Sequence, residues 1–344
     1  MVKNEENRFV FVLPSKRSGG SNVMLTLFLS LVNNDQNIGN RGLVIKRLEG
    51  GVLSSSFSLI FYIIKNYLLG KSKSVSYVVT DPFHSIICSL LFCRYIRYLQ
   101  ADDLNLFKHR RFGRIICLVQ RVASIRDDKY LYVSDYVKRR YLDSKLGNTS
   151  VQGFKVLPLV DPIYFRKGSA KNREKYTIAY MPRRALTKGF DEFCLWMNEA
   201  PARIREKMTV NFISNEVSKS VIDKKCEFSF TLTAPSNVED IKMVLESSNI
   251  FVFNSYTEGF GLPPLEALLS GCKIISTKCG GVSEFLDEGN SELIDLGDRE
   301  SFYFALEKLV FGKKKDLSSN NYECFSKYNS IFLSDLNSYI KGGK

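Results

Sequence analysis

The stretch Asn254–Gly271 reads NSYTEGFGLPPLEALLSG and places two glutamates, Glu258 and Glu266, on either side of a Gly-Phe-Gly turn. The apolar run IFVFNS that leads into it is rich in β-branched and aromatic residues, which predicts a strand ending just before Glu258. Pro263 suits the first turn of a helix, and Gly271 suits the C-terminal cap of that helix. The stretch therefore predicts a strand, a sharp turn and a helix whose N-terminus favours an anion.

The residue types at this turn indicate a ligand with both a phosphate and hydroxyl groups. Gly259 and Gly261 allow a sharp backbone turn and a close approach of the ligand. Glu258 and Glu266 could then accept hydrogen bonds from hydroxyls at opposite ends of a sugar–diphosphate–ribose ligand. The alternatives are a solvated loop residue for Glu258 and a helix-dipole role for Glu266. A capping box is excluded for Glu266, because Pro263 stands three residues before it instead of Ser or Thr.

Outward from this stretch, strand patterns alternate with helix patterns along most of the 344 residues. This alternation predicts βαβ units and parallel sheets, and the length suggests two domains. The polar segment 161–175, DPIYFRKGSAKNREK, lacks an apolar period and predicts a linker. We therefore predict an α/β protein with two Rossmann-like domains facing each other across a cleft, in which ligands bind beyond the C-terminal strand ends. The predicted bounds are 1–165 for the first domain, 166–320 for the second, and 321–344 for a C-terminal helix packing back towards the first domain.

Composition excludes several classes of protein. No apolar segment is long enough to cross a bilayer, and the N-terminal MVKNEENRFVFVLP has acidic residues where a secretory signal needs an apolar run, so we expect a cytoplasmic protein. The eight cysteines form no C-x-x-C pair and predict reduced core thiols, and only two histidines are present, which disfavours a zinc site. The dinucleotide, P-loop, serine-hydrolase and zinc-protease signatures are also absent.

Positive charge is concentrated in the first half of the chain. Residues 1–170 hold 26 Lys and Arg against 12 Asp and Glu, whereas residues 171–344 hold 23 against 24. The segment KHRRFGRIICLV sets basic residues beside an apolar run, with Lys108, Arg110, Arg111 and Arg114 among them. We expect these residues to dock on an anionic membrane surface, although a solvated helix face is the alternative. Nucleic acid is not an expected partner, because the aromatic residues follow no RNA-binding pattern.

The quoted motif EGFGLPPLEA closely resembles the signature of retaining GT-B glycosyltransferases of family 4, the glycosyl transferases group 1. AYMPRRALTKGFDEF resembles that family's strand-end arginine followed by Lys-Gly at the next helix, and SKRSGGSN resembles its N-terminal Gly-Gly loop. VEDIKMVLESSNIFVFNS and CGGVSEFLDEG are similar to the segments that flank its glutamate motif. The resemblance is specific over about residues 175–290 and looser, by the order of elements, over 1–165.

The resemblance implies a role for each matching residue. Glu266 would hold the ribose of the nucleotide, and Glu258 would contact hydroxyls of the donor sugar. Arg183 and Lys188 would bind the diphosphate, with Arg184 a neighbour whose role is not separable from that of Arg183. The remaining implied donor-binding residues are Gly259, Phe260, Gly261 and Leu262, which would line the donor pocket with their backbone, and Gly19 and Gly20, which would let the first domain close over the phosphates.

The chemistry gives an independent reason for the two cations. Breaking a glycosidic bond to a nucleoside diphosphate develops negative charge on the pyrophosphate, and fixed Arg and Lys charges stabilise that charge. We therefore expect no metal and no cofactor, and the chain contains no D-x-D motif. Many members of the family carry a histidine near the donor sugar in the first domain. The equivalent segment here, RYLQADDLN, offers Asp102 and Asp103 instead. Asp102 is the expected sugar or acceptor contact, and His84 is the alternative.

Together these observations predict a retaining, metal-independent glycosyltransferase at the inner face of the cell membrane. It would transfer one sugar from a nucleotide-sugar donor to a glycan acceptor linked to a polyprenyl pyrophosphate, in the assembly of an O-antigen or capsule. A nucleotide-sugar epimerase or a sugar-phosphate synthase on the same fold is one alternative. A non-catalytic glycan-binding protein is another, disfavoured by the intact set Glu258, Glu266, Arg183 and Lys188.

Overall fold

Two six-stranded parallel sheets form the framework of the protein in the computed structural model. Both consist of buried strands with helices in the intervening connections, as the alternating sequence pattern predicts. The residues described by the structure are 8–14, 43–48, 52–70, 75–101, 113–127, 129–146, 149–158, 160 and 176–312. Those up to residue 158 group into one compact unit and those from residue 160 onwards into a second. The α/β class with two Rossmann-like units is confirmed.

The first unit is built on a sheet with the strand order β2-β1-β3-β4-β5-β6. Val10, Val12, Tyr77 and Val79 from its strands pack with Leu59 from a helix into one apolar cluster. The strands are β1 (Arg8–Pro14), β2 (Leu43–Leu48), β3 (Val75–Val79), β4 (Arg94–Leu99), β5 (Lys129–Tyr132) and β6 (Gln152–Lys155), and the helices are α1 (Val52–Leu68), α2 (Pro82–Leu90), α3 (Gly113–Ala123), which a short 3-10 turn extends to Arg126, and α4 (Asp135–Ser144).

One ion pair is completely buried in this unit. Arg97 Nη1 on β4 lies 3.3 Å from Asp127 Oδ2, and both side chains are fully inaccessible to solvent. Tyr95 donates a hydrogen bond of 2.8 Å to Asp127 Oδ1, and Tyr141 on α4 donates one of 2.5 Å to Asp127 Oδ2. Burial raises the pKa of both tyrosines, and the Asp127 carboxylate raises it further. The carboxylate therefore links β4 to α4 through several charge-assisted contacts.

The second unit is built on a sheet with the strand order β12-β11-β10-β7-β8-β9. Its core is aromatic: the ring of Tyr180 stacks on Phe193 with centroids 4.0 Å apart, and Phe212 and Phe302 pack edge-on against Phe193. The strands are β7 (Tyr176–Tyr180), β8 (Met208–Ile213), β9 (Phe230–Thr233), β10 (Ile250–Phe253), β11 (Lys273–Thr277) and β12 (Ser291–Ile294), and the helices are α5 (Phe190–Glu199), α6 (Ala202–Arg205), α7 (Lys219–Asp223), α8 (Val238–Ser247), α9 (Leu262–Leu269) and α10 (Arg299–Phe311).

One predicted strand is wrong in position. The apolar pattern of KVLPLV, residues 155–160, predicts a strand that pairs in the sheet, but the strand there is β6, Gln152–Lys155. Gly153 is required in β6, because a Cβ at this position would lie 2.4 Å from the ring of Tyr130 on the neighbouring β5. The apolar-periodic VMLTLFLSLV also predicts a helix after β1. This helix, the predicted boundary at 165 and the predicted helix over 321–344 lie outside the described residues and stay predictions.

Candidate functional site

Lys188 and Glu258 form an ion pair at the carboxyl edge of the second sheet. Lys188 Nζ lies 2.5 Å from Glu258 Oε1, and the two side chains are 21% and 18% exposed. Lys188 follows β7 and Glu258 follows β10, and these strands are neighbours. The chain runs from β7 to β8 and β9 on one side and reaches β10, β11 and β12 on the other, so the strand order reverses between β7 and β10. In doubly wound α/β sheets, this reversal point is where ligands bind.

Asn254 positions Lys188 relative to the Glu258 loop. Its side-chain Nδ2 donates a hydrogen bond of 2.7 Å to Gly189 O, and its Oδ1 accepts one of 2.8 Å from the hydroxyl of Tyr180. Gly189 has a φ of +67°, and a Cβ there would lie 2.3 Å from Asn254 O. Only glycine fits both the left-handed backbone and this close approach. The lysine therefore sits on a turn that is fastened to the end of β10.

The backbone of Glu258 is held by the loop after β11. Gly280 has a φ of +54°, and a Cβ there would lie only 1.9 Å from Glu258 O, which also accepts a 3.3 Å hydrogen bond from Gly281 N. Ser255 donates to Glu258 Oε1 at 3.2 Å, and Lys188 Nζ also donates to Thr257 O at 3.2 Å. The carboxylate and the ammonium are thus fixed from three loops that follow adjacent strands.

The turn between β10 and α9 has the predicted form. Gly261 is the N-terminal cap of α9 with a φ of +94°, and a Cβ there would lie 2.5 Å from Val282 Cγ1. Leu262 is the first residue of α9 and Pro263 the second, and no side chain of the described residues caps this helix end. Phe260 is buried, with its ring 5.0 Å from the ring of Phe285. Phe260 therefore anchors the turn through its side chain, and the role of its backbone in lining a donor pocket stays a prediction.

Glu266 lies one turn further along the same helix. It is partly buried, while its neighbours Leu265, Ala267 and Leu268 belong to the core. The helix around it is regular, since Ser270 N donates 2.9 Å to Glu266 O. Its predicted role at the ribose stays a prediction.

The two arginines contact Glu216, a residue that the sequence patterns did not single out, Arg183 at its carboxylate and the Arg184 side chain at its backbone carbonyl. Arg183 Nη1 lies 2.5 Å from Glu216 Oε1, and Arg184 Nε donates 2.7 Å to Glu216 O. Glu216 follows β8, the other neighbour of β7. Its position just after a predicted strand was the signal that could have identified it. Arg183 and Lys188 therefore follow the same strand but have different carboxylate partners.

Cys279 is a second residue at this site that the sequence patterns did not single out. It is buried two residues after β11, and burial, with a smaller contribution from the Glu258 carboxylate, raises the pKa of its thiol to about 12. Lys188 acts in the opposite direction. The Cys279 thiol is therefore neutral at physiological pH and adds no charge next to the Lys188–Glu258 ion pair.

The remaining predicted residues belong to the first half of the chain. His84 is a buried residue of α2 whose Nε2 lies 3.2 Å from Ser55 Oγ on α1, and burial lowers its pKa below the ordinary 6.5. It is thus a satisfied core histidine. Arg114 lies exposed in the first turn of α3. Asp102, Gly19, Gly20, Lys108, Arg110 and Arg111 lie outside the described residues.

Two kinds of feature are absent from the described part of the chain. These residues contain no cluster of three or more His, Cys, Asp or Glu side chains with a metal-binding arrangement. No helix among them is long and apolar enough to span a bilayer.

Comparison with known proteins identifies relatives that match parts of the chain. Residues 164–323 match the family model described as Glycosyl transferases group 1. The chain is 28% identical over 162 residues to one component of the human phosphatidylinositol N-acetylglucosaminyltransferase, covering 45% of this chain and 33% of that protein. It is 23% identical over 233 residues to the Staphylococcus aureus capsular polysaccharide biosynthesis glycosyltransferase CapM, covering 62% and 60%. The matched stretches thus span less than two thirds of these relatives.

Solved structures agree over almost the whole chain. The sucrose-phosphate synthase of Thermosynechococcus elongatus superposes with a TM-score of 0.76 at 12% identity, covering 97% of this chain and 98% of that one. Anabaena HepE in complex with UDP-glucose superposes with a TM-score of 0.69 at 12% identity, covering 96% and 99%. At these identities the likeness shows the fold, which is that of GT-B glycosyltransferases. Residues 164–323 of this chain are thus similar to the glycosyl transferases group 1 family.

Proposed function

We propose that this protein is a retaining glycosyltransferase that moves one sugar from a nucleotide-sugar donor to a glycan acceptor. The observation that carries the proposal is the Lys188–Glu258 ion pair at the point where the strand order of the second sheet reverses. The pair combines a cation suited to phosphate with a carboxylate suited to sugar hydroxyls. The family match over residues 164–323 supports the reaction class.

The donor would bind across the ends of β7 and β10. Its diphosphate would lie against Lys188 and the N-terminus of α9, where Gly261 and the helix dipole favour an anion. Glu258 would accept hydrogen bonds from the donor sugar, and Glu266 from the ribose. HepE was crystallised with UDP and with UDP-glucose, which supports a nucleotide-sugar donor here.

Lys188 and Arg183 would accelerate the reaction by stabilising the negative charge on the leaving diphosphate. As the bond between the sugar and the diphosphate breaks, negative charge grows on the phosphate, and an ammonium already fixed in place stabilises it without reorganisation. Lys188 is partly buried, which strengthens that interaction relative to water. Arg183 is 52% exposed and would contribute less. In front-face attack the leaving phosphate accepts the proton of the acceptor hydroxyl, so neither a protein nucleophile nor a metal is required.

The acceptor we propose is a lipid-linked glycan of a surface polysaccharide. The lipopolysaccharide core glycosyltransferase LpsE of Rhizobium meliloti is 33% identical over 73 residues, covering 21% of this chain and 22% of that protein. LpsE and CapM are named for the biosynthesis of such polysaccharides. A polyprenyl-pyrophosphate anchor would place the acceptor at a membrane surface.

Exposed apolar side chains of the first unit support docking on a membrane. Along α1, Phe57, Phe61 and Leu68 are 72%, 74% and 78% exposed and lie on one helix face. The helix α3 exposes a second stripe, Ile115, Leu118 and Val122, flanked by the exposed Arg114 and Arg121. Both α1 and α3 contact α2, so the stripes share one face of the sheet. Exposed apolar stripes, with arginines bordering the one on α3, suit an anionic bilayer.

The first experiment measures thermal unfolding with UDP, GDP, ADP, CMP, dTDP and their common sugar conjugates. One nucleotide should raise the melting temperature of the wild type. At about 100 times its Kd, a bound ligand adds roughly 2.7 kcal/mol to the free energy of unfolding. Glu266→Ala and Lys188→Ala should lose this shift and all donor-dependent turnover. Lys308→Ala is the matched control, because Lys308 forms an ion pair with Glu292 on the exposed surface of the same unit.

Other outcomes would contradict parts of the proposal. A Lys188→Ala variant with near wild-type turnover would remove Lys188 from the site. Product formed from the donor alone would favour an epimerase, and product formed with a soluble sugar phosphate would favour a synthase. Absence of turnover with an intact nucleotide shift would favour a non-catalytic glycan-binding protein.

Membrane docking is tested with vesicles. The wild type should bind vesicles containing anionic phospholipid, less at high salt, and a Phe57→Ser/Phe61→Ser variant should bind much less. Phe304→Ser is the control, since Phe304 is 69% exposed in the second unit. Equal binding of the wild type to neutral vesicles would contradict the electrostatic part.

A further inference from the structure

Two cysteines far apart in sequence are in contact in the second unit, away from the ion-pair site. Cys194 Sγ on α5 lies 3.5 Å from Cys226 Sγ, which belongs to the connection between α7 and β9. Cys194 is 2% exposed, whereas Cys226 is partly exposed. The disulfide bond length is about 2.05 Å, so the sulfurs must approach by about 1.5 Å to bond.

The contact is held by a set of hydrogen bonds on one face of α5. Asn198 Nδ2 donates 2.8 Å to Lys225 O, and Asn198 Oδ1 accepts 2.9 Å from Glu227 N. One turn before Cys194, Asp191 forms an ion pair of 3.0 Å with Lys225 Nζ. The helix thus binds the residues on both sides of Cys226. Because these contacts fix the backbone on both sides of Cys226, they hold its thiol in contact with the thiol of Cys194.

The environment distinguishes the two thiols chemically. The hydrogen bond to Cys194 lowers the pKa of Cys226, and the neighbouring Lys225 acts in the same direction. Burial and Asp223 act in the opposite direction, but the net shift favours the thiolate, which is the reactive form of cysteine, and Cys226 is partly exposed to an oxidant. Cys194 is nearly inaccessible to solvent and in contact with Cys226, so it can react with an oxidised Cys226 but not directly with an oxidant in solution.

We propose that Cys194 and Cys226 form a reversible dithiol site that is oxidised by peroxides to an intramolecular disulfide. The Cys226 thiolate attacks one oxygen of hydrogen peroxide, the O–O bond breaks, and hydroxide leaves, taking up a proton to become water. The resulting Cys226 sulfenic acid is attacked by the Cys194 sulfur, which loses its proton as the S–O bond breaks and a second water leaves. In sum, two thiols and one peroxide give one disulfide and two waters. Dithiothreitol reverses the reaction.

The test is peptide mapping by mass spectrometry without reduction, after treatment of the full chain with hydrogen peroxide. The expected result is a peptide containing Cys194 linked to a peptide containing Cys226, two hydrogens lighter than the free pair, which dithiothreitol abolishes. Cys194→Ser should leave Cys226 as a sulfenic acid that dimedone traps. Cys226→Ser should leave Cys194 unmodified, since Cys194 is buried. Asn198→Ala should lower the yield of the linkage, whereas Cys93→Ser, a change in the first unit, should leave it unchanged.

Two results would overturn the proposal. One is a peroxide-treated wild type in which Cys226 reaches the sulfinic acid while Cys194 remains a free thiol. The other is a linkage that joins different cysteines and persists in Cys226→Ser. Because the readout is the covalent bond itself, it does not depend on any enzymatic activity.

Discussion

Gly280→Ala is the sharpest test of how the Glu258 loop is held. A methyl group at position 280 would lie 1.9 Å from Glu258 O, although Cβ atoms essentially never approach closer than 3.0 Å. One of the two loops must therefore move by at least about 1.1 Å. The backbone is in addition left-handed, with a φ of +54°, which disfavours alanine. Because the colliding atom is the backbone of Glu258, the movement displaces the candidate sugar-binding carboxylate.

The magnitude follows from these two contributions. The left-handed conformation costs alanine about 1–2 kcal/mol, and forcing a methyl group into a filled space costs about 1–3 kcal/mol more. Gly271→Ala is the matched control, since Gly271 has a φ of +84° with no atom within 4 Å of its Cβ position. The control therefore carries only the first contribution. At about 2–4 °C per kcal/mol for a domain of some 150–250 residues, the size class of the second unit, the melting temperatures of the two variants should differ by roughly 2–12 °C.

The assay is thermal unfolding of both variants beside the wild type, followed by nucleotide titration. Gly280→Ala should be the less stable variant and should also lose nucleotide-sugar affinity, while Gly271→Ala keeps it. Equal melting temperatures for the two variants would refute the collision, and an unchanged affinity in Gly280→Ala would refute the link between the two loops.

Two further predictions concern the first unit. Asp127→Asn should destabilise the protein by about 3–5 kcal/mol in denaturant unfolding, because it leaves the buried Arg97 charge uncompensated. The control Asp135→Asn should lower the unfolding free energy by less than about 1 kcal/mol, since its partner Lys155 is 30% exposed. Similar losses of stability for both variants would contradict this reasoning. Burial lowers the pKa of His84, so on acidification the unfolded chain binds a proton at a higher pH than the folded protein does. The free energy of unfolding should therefore be full above pH 6.5 and fall as the pH drops through the folded-state pKa. His84→Gln should reduce this loss of stability in unfolding measured between pH 7 and pH 5.

The sequence predicted the second unit better than the first. The strand before Glu258, the glycine turn and the helix at Leu262 all lie where NSYTEGFGLPPLEALLSG indicates, because each depends on local turn and capping chemistry. Lys188 and Glu258 could be placed on one sheet edge, since both follow strands. Their direct contact required knowing that β7 and β10 are neighbours, which no local pattern encodes.

The errors and omissions share a physical origin in tertiary contacts. KVLPLV has the stronger strand pattern, yet β6 forms over QGFK because Gly153 gives room to the ring of Tyr130. Glu216 was missed because its pairing with Arg183 joins loops that are 33 residues apart. Contacts of this kind depend on strand order and side-chain packing, and local periodicity carries no information about them.

The ion pairs of Lys188 with Glu258 and of Arg183 with Glu216 have a consequence for selectivity. Each cation already has a carboxylate beside it, so a small anion such as free pyrophosphate must compete with both glutamates and leaves them poorly satisfied. A sugar nucleotide brings hydroxyl donors together with its phosphates and can satisfy carboxylate and cation at once. Under the proposed function, the two ion pairs would therefore favour binding of a complete sugar nucleotide over binding of an inorganic anion.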